Sequence, residues 1–211
     1  ALTGQFHIAQ YTVDNQETPE IQALAGGGFA VTFMSEQADI DHDGIAGRVF
    51  GRASAGNDRM TVDVTGYLAG LSGNDILTGN SKRNTLNGGS GDDALSGRGG
   101  SDLLVGGGGA DQFVFSTLLS SANNIDKVTD FKTRVDEIVL DDAIFKAVGQ
   151  TLSATEFRLG IRAQESNDRI IYDKTTGALF YDSNGSGSGS QIQFAALKAG
   201  AVLTYDDLVM I

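Results

Sequence analysis

The middle of the chain repeats every nine residues. Residues 70–114 divide into five units: GLSGNDILT, GNSKRNTLN, GGSGDDALS, GRGGSDLLV and GGGGADQFV. The first position is always Gly, the eighth is always apolar, and the sixth is Asp in four of the five units. A fixed period of this kind predicts a solenoid in which each unit stacks on its neighbours, because one unit cannot bury its apolar face alone.

Each unit reads as a turn followed by a short strand. Glycine allows the first six residues to turn, because it accepts positive φ at little steric cost. The last three residues have the form x-apolar-x, which points the middle side chain to one face of a strand and its neighbours to the other. Stacking therefore predicts an inward ladder of apolar side chains. Its members are Leu77, Leu86, Leu95, Leu104 and Phe113.

The turns place like charges above one another at the edges of the stack. Stacked aspartates repel, so the arrangement needs a cation between them. Carboxylate and carbonyl oxygens without nitrogen or sulfur ligands favour a hard ion, and flexible loops with many oxygens suit Ca²⁺ better than octahedral Mg²⁺. A single Gly-Asp turn is typical of a solvated loop, whereas five units in register favour calcium. The predicted carboxylate ligands are Asp75, Asp93, Asp102 and Asp111.

Charge and composition narrow the possible partners. The chain has 27 acidic and 15 basic residues, a net charge of −12, which excludes a basic nucleic-acid surface and a polybasic membrane anchor. No apolar run reaches the roughly 18 residues that a membrane span needs. The absence of cysteine excludes disulfides and thiolate metal sites.

The pattern GGxGxD followed by x-apolar-x resembles the RTX (haemolysin-type) calcium-binding nonapeptide. The resemblance implies an all-β fold, a right-handed parallel β-roll (β-solenoid) that holds Ca²⁺ between turns two units apart on the same edge. It implies one ion between the turns of Asp75 and Asp93 and another between those of Asp93 and Asp111. On the opposite edge, Asn84 would face Asp102. Backbone carbonyls would complete the ligand shells, from Leu71, Gly73, Gly88, Gly89, Ser90, Gly91, Gly106 and Gly108, and on the opposite edge from Gly97 and Gly99.

Two segments depart from the nonapeptide. The second unit has Lys82 in place of glycine and Asn84 in place of aspartate, so the site between Asn84 and Asp102 is expected to be weak or empty. Before the repeats, Gly56-Asn57-Asp58 followed by Met60 is typical of an additional turn that is out of phase by one residue. Asp58 could bind calcium there or could simply end a degenerate turn.

The residues after the repeats are expected to cap the roll, since a stack of turns ends in open sheet edges that must be covered. Alternation in 170–173 and 178–182 around a Thr-Thr-Gly turn predicts a β-hairpin. The sequences that begin at Ser153 and Thr204 are typical of capping boxes and predict short helices. The predicted organisation is an amino-terminal β segment (1–52), the β-roll (53–115) and a mainly β capping region (116–211).

This capping region resembles the one that follows the repeats in serralysin-type proteases and related secreted RTX proteins. In those relatives the last stretch carries an uncleaved type I secretion signal, and Asp207–Ile211 resembles its acidic-apolar ending. The resemblance implies the type I secretion apparatus as a partner and a secreted, extracellular location. Asp130 and Asp136, in a segment that resembles the family's tDFxxGxD, are further candidate calcium ligands; Arg134 stands where the family often has glycine.

The amino-terminal segment carries no nonapeptide. Alternation predicts strands at residues 6–13 and 28–34. The spacing of Asp39, Asp41 and Asp43 matches the opening of an EF-hand loop, but Phe50 occupies the position of the bidentate glutamate. These residues therefore form either a partial calcium site or an acidic turn. Farther along the chain, the run 182–190 is either an oxygen-rich loop with Asp182 and Asn184 at ligand spacing or, the favoured interpretation, a mobile surface loop.

Enzyme chemistry has little support in the sequence. The chain has two histidines, His7 and His42, and contains neither an HExxH zinc motif nor a GxSxG nucleophile elbow. Two functional classes follow. The favoured one is a non-catalytic, secreted calcium-binding module that folds on external Ca²⁺. The alternative is the carboxyl-terminal part of a secreted protease, lipase or polysaccharide epimerase, or of an adhesin or toxin.

Overall fold

The computed structural model of the chain describes residues 20–23, 28–35, 44–51, 56–62, 66–186, 189 and 191–211. The chain divides into two compact units, residues 1–50 and 51–211. A three-stranded sheet near the amino terminus has the order β1 (Glu20–Ala23), β2 (Gly28–Ser35), β3 (Gly44–Gly51), with β1 antiparallel to β2. The strand predicted at 28–34 is thus β2. The strand predicted at 6–13 and the acidic loop of Asp39, Asp41 and Asp43 lie outside the described residues.

Residues 51–211 form two sheets, and as far as residue 140 successive strands lie alternately in one sheet and the other. The six-stranded sheet is parallel throughout and contains, in spatial order, β4 (Arg59–Thr61), β6 (Ile76–Thr78), β8 (Ala94–Ser96), β10 (Gln112–Phe115), β12 (Glu137–Leu140) and β17 (Leu208–Met210). The eight-stranded sheet begins with the parallel strands β5 (Tyr67–Ser72), β7 (Thr85–Ser90), β9 (Leu103–Gly108), β11 (Asp126–Val128) and β16 (Gln191–Ala196). It continues with β15 (Ala178–Asp182), β14 (Ile170–Asp173) and β13 (Phe157–Leu159).

The nine-residue period explains this alternation. Each unit supplies one strand, and the glycine turn then sends the chain to the other sheet, so strands two units apart become neighbours. Leu77 pairs with Leu95 in one sheet, and Leu86 pairs with Leu104 in the other. The predicted all-β parallel β-roll is confirmed.

The apolar ladder forms the core between the two sheets. Leu77, Leu86, Leu95, Leu104 and Phe113 are each 0% exposed. Burying a side chain of this size contributes about 1.5–3 kcal/mol, and each unit supplies only one. The roll therefore has a thin core. Ordering its glycine-rich backbone costs more conformational entropy than ordering a backbone with fewer glycines.

Both sheets continue through residue 115 into the carboxyl-terminal region. β11 pairs with β9, and β12 pairs with β10, in the same parallel arrangement as the repeats. The final strand, β17, then pairs with β12. The predicted hairpin is present as antiparallel β14 and β15, and it extends the eight-stranded sheet beyond β16. The two sheets of the repeats thus continue directly into strands of the carboxyl-terminal region.

The two predicted helix starts have different outcomes. Thr204 and Asp207 form a capping box around a short 3₁₀ helix, Tyr205–Asp207. At Ser153 only half of a capping box is present: Ser153 N–H and Oγ–H donate to Glu156 Oε2 at 2.9 and 2.7 Å, but the Glu156 N–H donates to the Ser153 carbonyl at 3.0 Å. There the helix prediction is wrong, because the chain makes only one turn before it enters β13. In the described part of the chain, no helix has the length and apolar character to cross a membrane.

Candidate metal centre along the edges of the roll

Hydrogen bonds join the acidic turns along one edge of the roll, which we call the first edge and which comprises the turns of Asp58, Asp75, Asp93 and Asp111. Asp75 Oδ1 accepts the Asp58 N–H at 2.7 Å. Asp93 Oδ1 accepts the Asp75 N–H at 2.8 Å, and Asp111 Oδ1 accepts the Asp93 N–H at 3.1 Å. One carboxylate oxygen of each of these acceptors is therefore used to fix the stacking of the turns.

The second carboxylate oxygen has no protein partner. Four aspartates have a buried Oδ2 atom that makes no hydrogen bond, and each of these residues is only 1–3% exposed. They are Asp75, Asp93, Asp102 and Asp111. A buried, unsatisfied carboxylate oxygen carries a large desolvation cost unless a cation or donor compensates it. Among the described residues, these oxygens are the clearest candidates for metal ligands.

Backbone carbonyls stand beside two of these oxygens on the first edge. A Cβ atom added to Gly70 would lie 2.1 Å from Asp75 Oδ2 and 2.4 Å from the Gly88 carbonyl oxygen. One added to Gly88 would lie 2.2 Å from Asp93 Oδ2 and 2.6 Å from the Gly106 carbonyl oxygen. Glycine is therefore required at both positions, because a carboxylate oxygen of its own turn and a carbonyl oxygen of the next turn both lie where a side chain would begin. Carboxylate and carbonyl oxygens of this kind are the ligands of a hard divalent cation.

Left-handed glycines keep the turns close enough to stack their carbonyls. Gly89 and Gly91 have φ of 109° and 122°. A Cβ atom on them would approach the Leu71 and Gly73 carbonyl oxygens to 2.2 and 2.1 Å. Glycine is therefore required at both positions for conformation and for space. The carbonyls of Leu71, Gly73, Gly89 and Gly91, all predicted ligands, line one edge in this way.

The remaining predicted carbonyl ligands on this edge also support the stack. The Ser90 carbonyl accepts the Gly73 N–H at 2.9 Å, and the Gly108 carbonyl accepts the Gly91 N–H at 2.7 Å. A carbonyl oxygen has two lone pairs, so these bonds leave capacity for a metal. Among the described residues, no three acidic or histidine side chains converge on one point. Backbone oxygens must therefore supply most of any ligand shell here.

Burial raises the pKa of the stacked carboxyl groups. Loss of hydration raises the pKa of Asp93 to about 6; the Asp75 N–H opposes the shift, and the charges of Asp111 and Asp75 add to it. Burial raises the pKa of Asp75 and Asp111 as well. Protons and a cation therefore compete for the same oxygens.

The opposite edge, comprising the turns of Asn84, Asp102 and Asp126, is built differently. Asp102 Oδ1 accepts the Asn84 N–H at 2.6 Å, and Asp126 Oδ1 accepts the Asp102 N–H at 2.9 Å, so the rungs stack as before. Asn84 Oδ1, however, accepts the N–H of Asn80 in its own turn at 2.9 Å. The carbonyl of Gly97 stands beside Asn84, but the carboxylate charge is missing. Gly99, another predicted ligand, donates its N–H to the Asn80 carbonyl at 3.0 Å.

Asp126 was missed by the sequence analysis. It is 3% exposed, and burial raises its pKa to about 7, while burial raises that of Asp102 to about 6. A usable signal was present. Asp126-Lys127-Val128 repeats the Asp-x-apolar end of the nonapeptide without its glycine turn, as does Asp136-Glu137-Ile138. The strand-forming half of the unit thus persists after the turn-forming half is lost.

The structure also places the less certain candidates. Asp58 continues the first edge, and its offset of 17 residues from Asp75, against 18 between the later rungs, accounts for the shift in phase. Asp130 accepts the N–H groups of Gly106 and Gly107 at 3.0 and 2.8 Å. Asp136 Oδ1 and Oδ2 accept the N–H groups of Asp111 and Lys132 at 3.1 and 2.8 Å. The carboxylates of Asp130 and Asp136 are therefore held by backbone amides.

The fold and its acidic edges define a class of parallel β-roll built from glycine- and aspartate-rich turns. The family model of the RTX calcium-binding nonapeptide repeat, which spans four copies, matches residues 69–104 and again residues 78–113. Residues 69–113 thus match the model of this repeat family.

Solved structures and curated proteins give less information. The AlgE6R3 subunit of the Azotobacter vinelandii mannuronan C5-epimerase is 21% identical with a TM-score of 0.39, and the match covers 77% of this chain and 76% of that one. The extracellular lipase LipA of Serratia marcescens is 17% identical with a TM-score of 0.27, and the match covers 92% of this chain but only 29% of the lipase. No curated protein matches the sequence significantly.

Proposed function

We propose that the chain is a secreted calcium-binding module that folds on external Ca²⁺ and carries a type I secretion signal at its carboxyl end. The observation that carries the proposal is the set of buried, unpartnered Oδ2 atoms, two of which, on Asp75 and Asp93, lie beside backbone carbonyls of the next turn. Bound calcium would neutralise the stacked carboxylates and tie neighbouring turns together. The module itself is non-catalytic.

The expected ligand sets follow from the carboxylate and carbonyl oxygens that lie close together on the first edge. Asp75 and the turn of residues 88–93 would hold one ion, and Asp93 and the turn of residues 106–111 would hold the second. Any ligand that binds the folded roll and not the coil stabilises it by RT ln(1 + [L]/Kd), about 2.7 kcal/mol for each ion at a hundredfold excess over Kd. Two ions would therefore add about 5 kcal/mol, which is comparable with the whole stability of a small domain.

Calcium titration calorimetry of the full chain tests this part of the proposal. We expect two ions to bind with similar affinity, and Mg²⁺ at the same concentration not to replace them, because it requires octahedral geometry and dehydrates reluctantly. Absence of calcium binding at millimolar concentrations would overturn the proposal.

The secretion signal is proposed for Asp207–Ile211. In the folded protein these residues end the 3₁₀ helix and form β17, which pairs with β12. A transporter could therefore read the segment only before the roll closes, which fits folding that waits for calcium outside the cell.

Export from bacteria that carry a type I apparatus tests the signal. Deletion of residues 207–211 is expected to abolish release into the medium. Leu95→Ala serves as the control, because it damages the buried ladder but leaves the carboxyl end intact. If the deletion is exported as well as the parent chain, the signal lies elsewhere.

A further inference from the structure

Residues 129–136 form one more turn of the first edge, after the turn of Asp111. This last turn stacks on the repeats without having their sequence. It follows the turn of Asp111, whose carbonyl accepts the Glu137 N–H at 2.8 Å. Asp136 Oδ1 in turn accepts the Asp111 N–H at 3.1 Å, as each earlier aspartate does for its predecessor. By position, this turn would complete a third ion site after those of Asp75 and Asp93.

A lysine ammonium lies between the turn of Asp111 and the turn of residues 129–136. Lys132 Nζ donates a hydrogen bond to the carbonyl oxygen of Gly107. Gly107 holds the second position of its unit, as Leu71 and Gly89 do in the two preceding units of this edge. The carbonyls of Leu71 and Gly89 lie against a glycine of the following turn, at 2.2 and 2.0 Å from where its Cβ would be. Within the part of the chain that the structure describes, a positively charged side chain reaches this carbonyl only at the last of the three turns.

The surroundings of the Asp111 carboxylate also differ from those of Asp75 and Asp93. The three atoms nearest to a Cβ on Gly106 all belong to Asp111, whereas the corresponding positions at Gly70 and Gly88 also meet a carbonyl oxygen of the next turn. The Lys132 N–H occupies Asp136 Oδ2, and Asp130 holds the amides of Gly106 and Gly107. Backbone amides thus hold Asp130 and Asp136, whereas Asp111 Oδ2 has no hydrogen-bond partner.

The charge of Lys132 acts on both flanking carboxyl groups. Burial raises the pKa of Asp111 and of Asp136, and in each case the positive charge of Lys132 opposes that increase. A cation between the two rungs would have the same effect, so the lysine supplies part of the compensation that Asp75 and Asp93 lack.

We propose that the Lys132 ammonium serves as a built-in cation for the last turn of the first edge, in the place of a third calcium ion. The carboxyl-terminal end of the roll would then close without metal, and calcium would be needed only for the repeats that stack on it. The inference rests on the calcium binding proposed above, and it sets the number of calcium ions on the first edge at two.

Replacement of Lys132 by methionine in the full chain tests the inference. Lys132→Met keeps the length of the side chain and removes its charge, Lys132→Arg keeps the charge, and Lys127→Met removes an exposed lysine of β11 as the matched control. In chelator, we expect Lys132→Met to lower the Tm of the carboxyl-terminal end by about 2–4 °C, while Lys132→Arg and Lys127→Met stay near the parent. Saturating calcium should remove the difference, and calorimetry should find one ion more than in the parent.

The outcomes separate this inference from the proposed function. If the parent chain binds no calcium, the proposed function fails. If the parent binds calcium but Lys132→Met binds the same number of ions, or loses equal stability in calcium and in chelator, the lysine is a structural tether and the inference is overturned. A variant that stays unfolded even in saturating calcium overturns it as well, because calcium then cannot replace the ammonium.

Discussion

Asp93→Asn should change the stability of the roll in opposite directions with and without calcium. Asparagine retains an Oδ1 acceptor for the Asp75 N–H, which Asp93 now binds at 2.8 Å, and removes the buried charge on Oδ2. Burial raises the pKa of Asp93 to about 6 from 3.8. A shift of that size corresponds to about 3 kcal/mol at neutral pH, so in chelator the variant should be more stable by roughly 1–3 kcal/mol.

In calcium the balance reverses. Asp93 would contribute to both proposed ions of the first edge, and loss of both removes about 5 kcal/mol at a hundredfold excess over Kd. The net result is a loss of about 2–4 kcal/mol. Circular dichroism of the full chain at pH 7.5 measures the first effect as a larger β signal of the variant in chelator, and urea unfolding in calcium measures the second.

Asp102→Asn is the matched control for this experiment. Burial raises the pKa of Asp102 to about 6 as well, and Asp102 Oδ1 also accepts a backbone N–H, that of Asn84. The gain in stability of Asp102→Asn in chelator should therefore be similar. Its loss of stability in calcium should be small, because Asn84 brings no carboxylate charge to the opposite edge. Equal calcium-linked losses for the two variants would refute the assignment of ions to the first edge. A loss in chelator for Asp93→Asn would refute the claim that its Oδ2 is uncompensated.

Two further predictions concern pH and backbone space. Because burial raises the pKa of Asp93 and Asp102 to about 6 and of Asp126 to about 7, the fold binds protons that the coil has released. In chelator the chain should therefore show more β signal at pH 5 than at pH 7.5, while calcium affinity measured by calorimetry should fall below about pH 6; opposite slopes would contradict the account. Gly107→Ala should destabilise by about 1–3 kcal/mol or more, because φ is 103° and the new Cβ would lie 2.0 Å from the Gly89 carbonyl oxygen. Gly108→Ala, whose Cβ would lie 4.0 Å from that oxygen, should cost under about 1 kcal/mol in the same unfolding assay, and equal costs would show that the turns are not tightly stacked.

The repeats could be predicted from sequence because each position has one dominant physical requirement. The eighth residue must be apolar to enter the ladder, and Leu95 and Leu104 are fully buried as expected. Glycines such as Gly91 mark positive φ and close contact with the preceding turn. A regular period therefore gives the sheet, the core and the position of each carboxylate together.

Structure beyond the repeats depends on contacts that no local pattern encodes. Asp126 lies 24 residues after Asp102, so the inserted loop hides its place as the next rung. Arg134, where glycine was expected, adopts φ of 61°, and its N–H donates to Asp207 Oδ1 across 73 residues. The Lys132 contact with Gly107 likewise joins a repeat to a segment of different sequence. Tertiary packing, which supplies these partners, is absent from any single window of the sequence.

Circular dichroism of the full chain during a calcium titration, followed by excess chelator, tests the central claim most directly. We predict a steep, cooperative increase in β signal as calcium rises, with full reversal by chelator, because the unpartnered Oδ2 atoms of the first edge disfavour stacking until a cation compensates them. Asp93→Asn should weaken the calcium dependence. An equal β signal in excess chelator and in calcium would contradict the account, since calcium would then decorate a roll that is already formed.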